Sequence, residues 1–249
     1  MTIEEMKRHH WMVGWSGGKD STATILLMHE YGVPIKEIVY VRMMYDETLP
    51  ATLPVMTDFV ERARKVFESW GYKVRFVYPD TTCEQLLHRK YTRSKYTEKN
   101  GHCYGITAFG RGFCAFSKVK QMTIAKQNQS KDEYQMIGYA ADEVARHSYL
   151  DKYKQSIMVE LGIKEKDTFD ICRKYGLLSP LYELGIRRDG CWFCPNCAKR
   201  EREYLKETRP DLVEKIYGMV DMCDYDISIF LRSGRNVWID EYKKDRGMT

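Results

Sequence analysis

The segment Ser16-Gly17-Gly18-Lys19-Asp20-Ser21 constrains this chain more than any other. It follows an apolar stretch, His10-Trp11-Met12-Val13-Gly14-Trp15, that reads as a buried strand ending in a glycine turn. It opens a helix predicted from Ser21 to Tyr31, where Ile25, Leu26, Met28 and His29 alternate with small residues and Gly32-Val33-Pro34 stops the element. The glycines let backbone N–H groups approach a phosphate closely at the helix start. Ser16 and Ser21 add hydroxyl donors, and Lys19 adds a mobile positive charge. This is not a Walker A loop: Asp20 follows Lys19, and Val13 stands where the first glycine of that pattern belongs.

The elements that follow extend the pattern. Glu37 to Met43 is rich in β-branched and aromatic residues and reads as a second strand. Pro54 to Trp70 has a 3.6-residue apolar period through Val55, Met56, Phe59, Val60, Ala63, Val66, Phe67 and Trp70, with Gly71 closing it. Lys73 to Tyr78 and Gln135 to Tyr139 read as further strands, and Phe113 to Gln127 as a helix. Alternating strands and helices predict an α/β fold, a doubly wound and mostly parallel sheet with helices on both faces. Beyond Tyr149 the sequence predicts charged helices and no run of strands. We therefore expect an α/β nucleotide-binding domain over residues 1–165 and a helical, cysteine-bearing module over 166–249.

Composition excludes several classes. Hydrophobic residues make up 43% and charged residues 30% of the 249, enough apolar material to bury a core. No apolar run approaches the roughly 20 residues that span a bilayer, so no membrane association is expected. Met1 to His10 lacks the apolar centre of a secretory signal, which predicts a cytoplasmic protein. The net charge, 40 − 35 = +5, permits a polyanionic partner without demanding one. His88 to Lys99 interleaves Lys90, Arg93 and Lys95 with Tyr91 and Tyr96, a mixture in which aromatics can stack bases while cations hold phosphates. A solvated helix face would have the same composition.

Eight cysteines in a reducing compartment point away from disulfides. Cys191, Cys194 and Cys197 fall in two consecutive Cys-x-x-Cys steps. That spacing suits iron–sulfur ligation, which needs a remote fourth cysteine, and equally a Cys₄ zinc site. Cys83, Cys103 and Cys223 show no ligand spacing and read as ordinary thiols.

The loop at 16–21 resembles that of the adenine nucleotide alpha-hydrolase superfamily, the PP-loop ATP pyrophosphatases. Three further segments resemble its phosphoadenosine phosphosulfate reductase-like branch: Arg111-Gly112-Phe113-Cys114 with Lys118 following, Gly138 to Arg146, and Ser179-Pro180-Leu181 through Gly190-Cys191-Trp192-Phe193-Cys194-Pro195. The resemblance spans about residues 10–215 and departs at Ala140, where that branch often has Arg. It implies that Ser16, Gly17, Gly18, Lys19, Asp20, Ser21 and Gly138 hold the nucleotide. It implies anion-binding or catalytic roles for Lys19, Asp20, Arg146 and Lys118, with Arg111 a further candidate. The fourth cluster ligand divides in two: Cys114 matches the cluster-binding region of the adenylyl sulfate reductases, whereas Cys172 matches the spacing of zinc-bearing deazaguanine nitrile synthases. We expect Cys114 with Cys191, Cys194 and Cys197 around a [4Fe–4S] cluster, zinc being the alternative.

The activity so implied uses ATP and Mg²⁺ to adenylate an acceptor, releases pyrophosphate, and lets a sulfur nucleophile displace AMP. Its partners would be an adenine nucleotide, a nucleic-acid or small-molecule acceptor, and a sulfur-donor protein. A sulfonucleotide reductase is the alternative within the same family. It is disfavoured because such enzymes use a C-terminal Glu-Cys-Gly, and no cysteine follows Cys223 here. A non-catalytic nucleotide sensor is a third reading, against which the intact loop argues.

Overall fold

The computed structural model describes residues 1–90, 92, 101, 120, 124, 133–187, 189–221 and 237–248. The expected helix at 113–127 lies outside these, apart from Lys120 and Ile124, as does most of the basic aromatic stretch after Lys90.

Strand β1 (Trp11–Trp15) buries four of its five side chains. Both its faces are covered, as expected of a central strand in a parallel sheet. β2 (Ile35–Val41), β3 (Val74–Val77), β4 (Gln135–Met136) and β5 (Lys154–Gln155) complete the sheet in the order β3-β2-β1-β4-β5. Every pairing is parallel. The fold is α/β, with a five-stranded, all-parallel sheet among the described residues and helices flanking it. A single two-residue strand, Lys154–Gln155, lies in the region where the sequence predicts no run of strands. Only two polar residues form it, paired with β4 alone, so no period could announce it.

The chain reverses its direction of travel across the sheet at β1. It goes out through β2 and β3, then returns to place β4 on the other side of β1. The carboxyl ends of β1 and β4 therefore flank a topological switch point, the position where open α/β sheets form a crevice for ligands.

Two helices fix β1. α2 (Lys19–Tyr31) is buried along nearly its whole length up to Met28 and ends on Gly32, whose φ of +67° is the left-handed cap glycine adopts readily. It packs on β1, on α5 (Ile157–Glu160) and on α6 (Thr168–Lys174). α3 (Pro54–Ser69) buries Met56, Phe59, Val60, Ala63 and Phe67, one stripe of the expected period. Trp15 meets Phe67 edge-on at 5.2 Å and donates its indole N–H to Thr22 Oγ1 at 3.0 Å. A short helix, α1 (Ile3–Met6), carries a Thr2–Glu5 capping box and ends at Met6, whose carbonyl accepts from the Trp11 indole.

Contacts divide the chain into two units that interleave in sequence. The first comprises Met1–Arg42, Val55–Tyr78 and Thr123–Asp189, and holds the sheet. The second comprises Met43–Pro54, Pro79–Met122 and Gly190–Thr249. In the second, α4 (Cys83–His88) is joined by α7 (Lys199–Thr208), α8 (Pro210–Asp221) and α9 (Val237–Asp245). α8 packs on both α7 and α9. Arg202 and Lys206 of α7 share the Glu241 carboxylate of α9 at 3.2 and 2.6 Å.

Phe67, fully buried against Trp15 and Trp70, anchors α3 on the sheet unit. Phe67→Ala is expected to lower unfolding stability by about 3–5 kcal/mol in urea titration. A loss under about 1 kcal/mol would contradict that packing.

Candidate functional site

The segment between β1 and α2 is braced by its own serines. Ser16 Oγ and Ser21 Oγ lie 3.0 Å apart. The Ser16 N–H donates to Ser21 Oγ at 3.1 Å, and the Gly18 N–H to Ser16 Oγ at 3.3 Å. Gly17 turns the chain at φ +79°, a conformation that favours glycine. Gly18 is the N-cap of α2 and supplies no side-chain cap, so the first N–H groups of the helix are left to other acceptors. The positive end of the helix dipole lies at the same point.

Gly138, two residues beyond β4, reaches this loop from the other side of the switch point. A Cβ placed there would stand 3.1 Å from Asp20 C and from the Ser21 Cα and N. Those are backbone atoms and cannot swing aside. A side chain there would force the backbone of Asp20 and Ser21 to give by a few tenths of an ångström, so the site favours glycine. The turn after Gly138 is held by Ala140 N–H donating to Glu143 Oε2 at 3.1 Å and by Ser156 Oγ donating to Tyr139 O at 2.7 Å. The 3₁₀ helix Val144–Tyr149 follows, with Val144 and Tyr149 about two-thirds exposed. Arg146 within it is exposed, pairs with Glu143 at 3.1 Å, and lies 5.5 Å from the Tyr139 ring centre. Exposed pairs of this kind contribute at most about 1 kcal/mol, so Arg146 is easily redirected.

Lys19 is placed differently from the mobile charge expected of it. It is only 5% exposed. Its ammonium pairs with Asp20 Oδ1 at 2.7 Å and with Glu165 Oε1 at 2.9 Å, and sits 5.3 Å from the Phe169 ring centre. Burial by itself would lower its pKa, but the hydrogen bonds it donates to both carboxylates, with their negative charges, outweigh burial and hold it above the ordinary lysine value. Thr168 Oγ1 lies 3.1 Å from Asp20 Oδ1 and 2.7 Å from the Glu165 carbonyl. Sequence reasoning missed Glu165 and Thr168. Glu165 sits in the run Lys164-Glu165-Lys166-Asp167, which reads as solvated charge.

Cys172 lies in α6 beneath the loop. Its thiol is fully buried and donates to the Lys19 carbonyl at 3.3 Å. Burial pushes its pKa up to about 12, so it is a neutral thiol in the range where proteins function.

The cysteine trio belongs to the second unit. Cys191 pairs with Thr52 in an isolated antiparallel bridge, and Trp192 binds the same hairpin through its N–H to Ala51 O at 3.0 Å and its indole to Pro50 O at 2.9 Å. The Trp192 and Phe193 rings flank Tyr45 at 4.8 and 5.5 Å. Two successive turns, Cys194 N–H to Cys191 O at 3.0 Å and Cys197 N–H to Cys194 O at 3.2 Å, carry the three thiols through this apolar wall. Cys191 and Cys197 are buried, and burial pushes Cys197 up to about 12. The donors are of the right chemistry for a soft metal. Among the described residues, however, no three such side chains converge on one point. Cys114, Lys118, Arg111 and Cys103 lie outside the described residues. No helix among the described residues is long and apolar enough to cross a membrane.

No protein-family model matches the chain, and no curated protein matches it. Among solved structures, it is similar to the U34-tRNA thiolase NcsA from Methanococcus maripaludis with its [4Fe-4S] cluster. The match is at 17% identity and a TM-score of 0.41, covering 99% of this chain and 86% of that one.

The contact at Gly138 is directly testable. Gly138→Ala should cost about 1–3 kcal/mol of stability, the usual penalty for overpacking a site that cannot relax. An unchanged urea midpoint would show that the two backbones do not touch as described.

Proposed function

We propose that this chain is an ATP pyrophosphatase of the PP-loop type, which adenylates an acceptor oxygen and prepares it for displacement by sulfur. One observation carries the reading: the Ser16–Ser21 loop lies at the β1/β4 switch point, with α2 starting behind it and Gly138 against its backbone. There the ATP phosphates would accept from the loop N–H groups and the Ser16 and Ser21 hydroxyls. The acceptor oxygen would attack the α-phosphorus. The bond to the bridging oxygen would break and pyrophosphate would leave with its electrons. A sulfur nucleophile would then form the new bond to the acceptor carbon as the carbon–oxygen bond to AMP breaks. Fixed N–H dipoles aimed at the leaving pyrophosphate stabilise charge that grows in the transition state.

Lys19 adds its charge to the same anion. Mg²⁺, where bound, supplies further neutralisation of the phosphates. It is ordinarily held by one or two carboxylates plus phosphate oxygens, and Asp20 in the first turn of α2 is the residue placed to take that part. Arg146 is the further cation we assign to substrate. The partly buried Tyr139 ring lies against it, and Val144 and Tyr149 of the same 3₁₀ helix are exposed, flat and apolar surface that suits a nucleic-acid base better than a small polar acceptor. Cys191, Cys194 and Cys197 with Cys114 are the proposed ligands of an iron–sulfur cluster, which when bound would hold or orient sulfur.

Three measurements test this reading. Chromatography of nucleotide products should give AMP and pyrophosphate, and Lys19→Ala should weaken ATP binding by about 1.5–3 kcal/mol in calorimetry, as expected for a lost charge-assisted contact. ADP as the main product would overturn it. Protein purified without oxygen should contain about four irons per chain and lose them in Cys191→Ser. Cys172→Ser should keep them, because that thiol already serves the Lys19 carbonyl. One zinc per chain, released by Cys172→Ser, would contradict the assignment.

A further inference from the structure

The geometry points to Glu165 as an internal competitor for the loop lysine: its carboxylate occupies the ammonium of Lys19 that the proposed reaction needs for phosphate, and it limits how tightly the loop takes a polyphosphate. The inference rests on the nucleotide reading above and adds a residue that the loop motif does not contain.

Three observations support it. Lys19 is buried, yet its ammonium meets two carboxylates, Asp20 and Glu165, at 2.7 and 2.9 Å. Two negative charges on one positive leave a local sum of −1, the wrong sign for a phosphate site. The two carboxylates are also differently held. Asp20 stands in the first turn of α2 beside its lysine, and its Oδ1 also lies within hydrogen-bonding reach of Thr168. Glu165 comes from 146 positions away, and its side chain is 58% exposed while that of Lys19 is 6% exposed. It is the partner that can leave for water when an anion arrives, whereas Asp20 stays.

The backbone of Glu165 is tied to the other half of the site. Its N–H donates to Asp142 Oδ1 at 2.9 Å, and the Ala141 N–H donates to Ile163 O at 2.8 Å. The turn that carries the competing carboxylate is thus fastened to the segment that follows Gly138. Substrate bound along Gly138–Arg146 would bear on the same turn, so that occupancy there is coupled to release of Lys19.

The test compares binding of inorganic pyrophosphate and of Mg-ATP by calorimetry in wild type, Glu165→Gln, Glu165→Ala, Lys19→Ala and the Lys19→Ala/Glu165→Gln double variant. A thermal melt on each checks the fold. Glu165→Gln and Glu165→Ala should bind both anions about three- to fivefold more tightly than wild type, the scale of a partly exposed ion pair. The gain should vanish in the Lys19→Ala background. A residue that merely braces the fold would not produce that dependence on Lys19. Equal or weaker binding in both Glu165 variants, with wild-type ATP binding intact, overturns the inference and leaves the nucleotide reading standing. A gain that persists without Lys19 also overturns it, since it would then reflect bulk charge. If no protein of the set binds either anion, the nucleotide reading fails and the inference with it.

Discussion

The rest of the site depends on one close approach, that of Gly138 to the backbone of Asp20 and Ser21. It brings the segment that follows β4 against the first turn of α2, which follows β1, and it goes with the pairing of β4 to β1. Without it the Ser16–Ser21 loop would be a glycine turn with a helix behind it. With it the loop lies against the start of the segment that runs from Gly138 to Arg146. The serine brace within the loop and the ties around Ala140 hold the two segments.

The charges are arranged more conservatively than a bare loop motif suggests. Lys19 is kept ionised inside the protein by two carboxylates, and its backbone carbonyl is taken by the Cys172 thiol. A buried ammonium without partners would pay a large desolvation cost, so the pairing is what allows a lysine at this depth. The consequence is that the cation has to be shared or surrendered by a carboxylate before it can serve an anion. The Lys19–Glu165 pair, with the Thr168–Asp20 and Cys172–Lys19 bonds, ties α6 and the turn before it to the loop.

Much of this was legible in the sequence where the signal was local. The Met56–Phe67 stripe of α3, the strand before the glycines and the stop at Gly32 all follow from periods of a few residues and from glycine's freedom at positive φ. The Thr2–Glu5 capping box of α1 is an equally local signal, though the helix it starts has only four residues. What could not be read is long-range. β5 consists of Lys154 and Gln155, whose strand character comes only from pairing with β4. Glu165 looks like surface charge until α6 brings it to Lys19. The expectation that Lys19 is mobile failed for the same reason: nothing near residue 19 announces Phe169 above it. The cysteine spacing was plain, but its surroundings were not. The hairpin at Pro50–Thr52 that seats Trp192 and Cys191 is remote in sequence and carries no motif.

The central proposal is that the nucleotide binds at the β1/β4 switch point, against both the Ser16–Ser21 loop and the Gly138–Arg146 segment. Amide hydrogen exchange with and without Mg-ATP measures this directly, because it reports each backbone N–H separately from activity or acceptor identity. The account predicts slowed exchange in two separate stretches, residues 16–24 and 138–146, with little change in α7, α8 and α9. Protection confined to one stretch, or found only in the second unit, would contradict it.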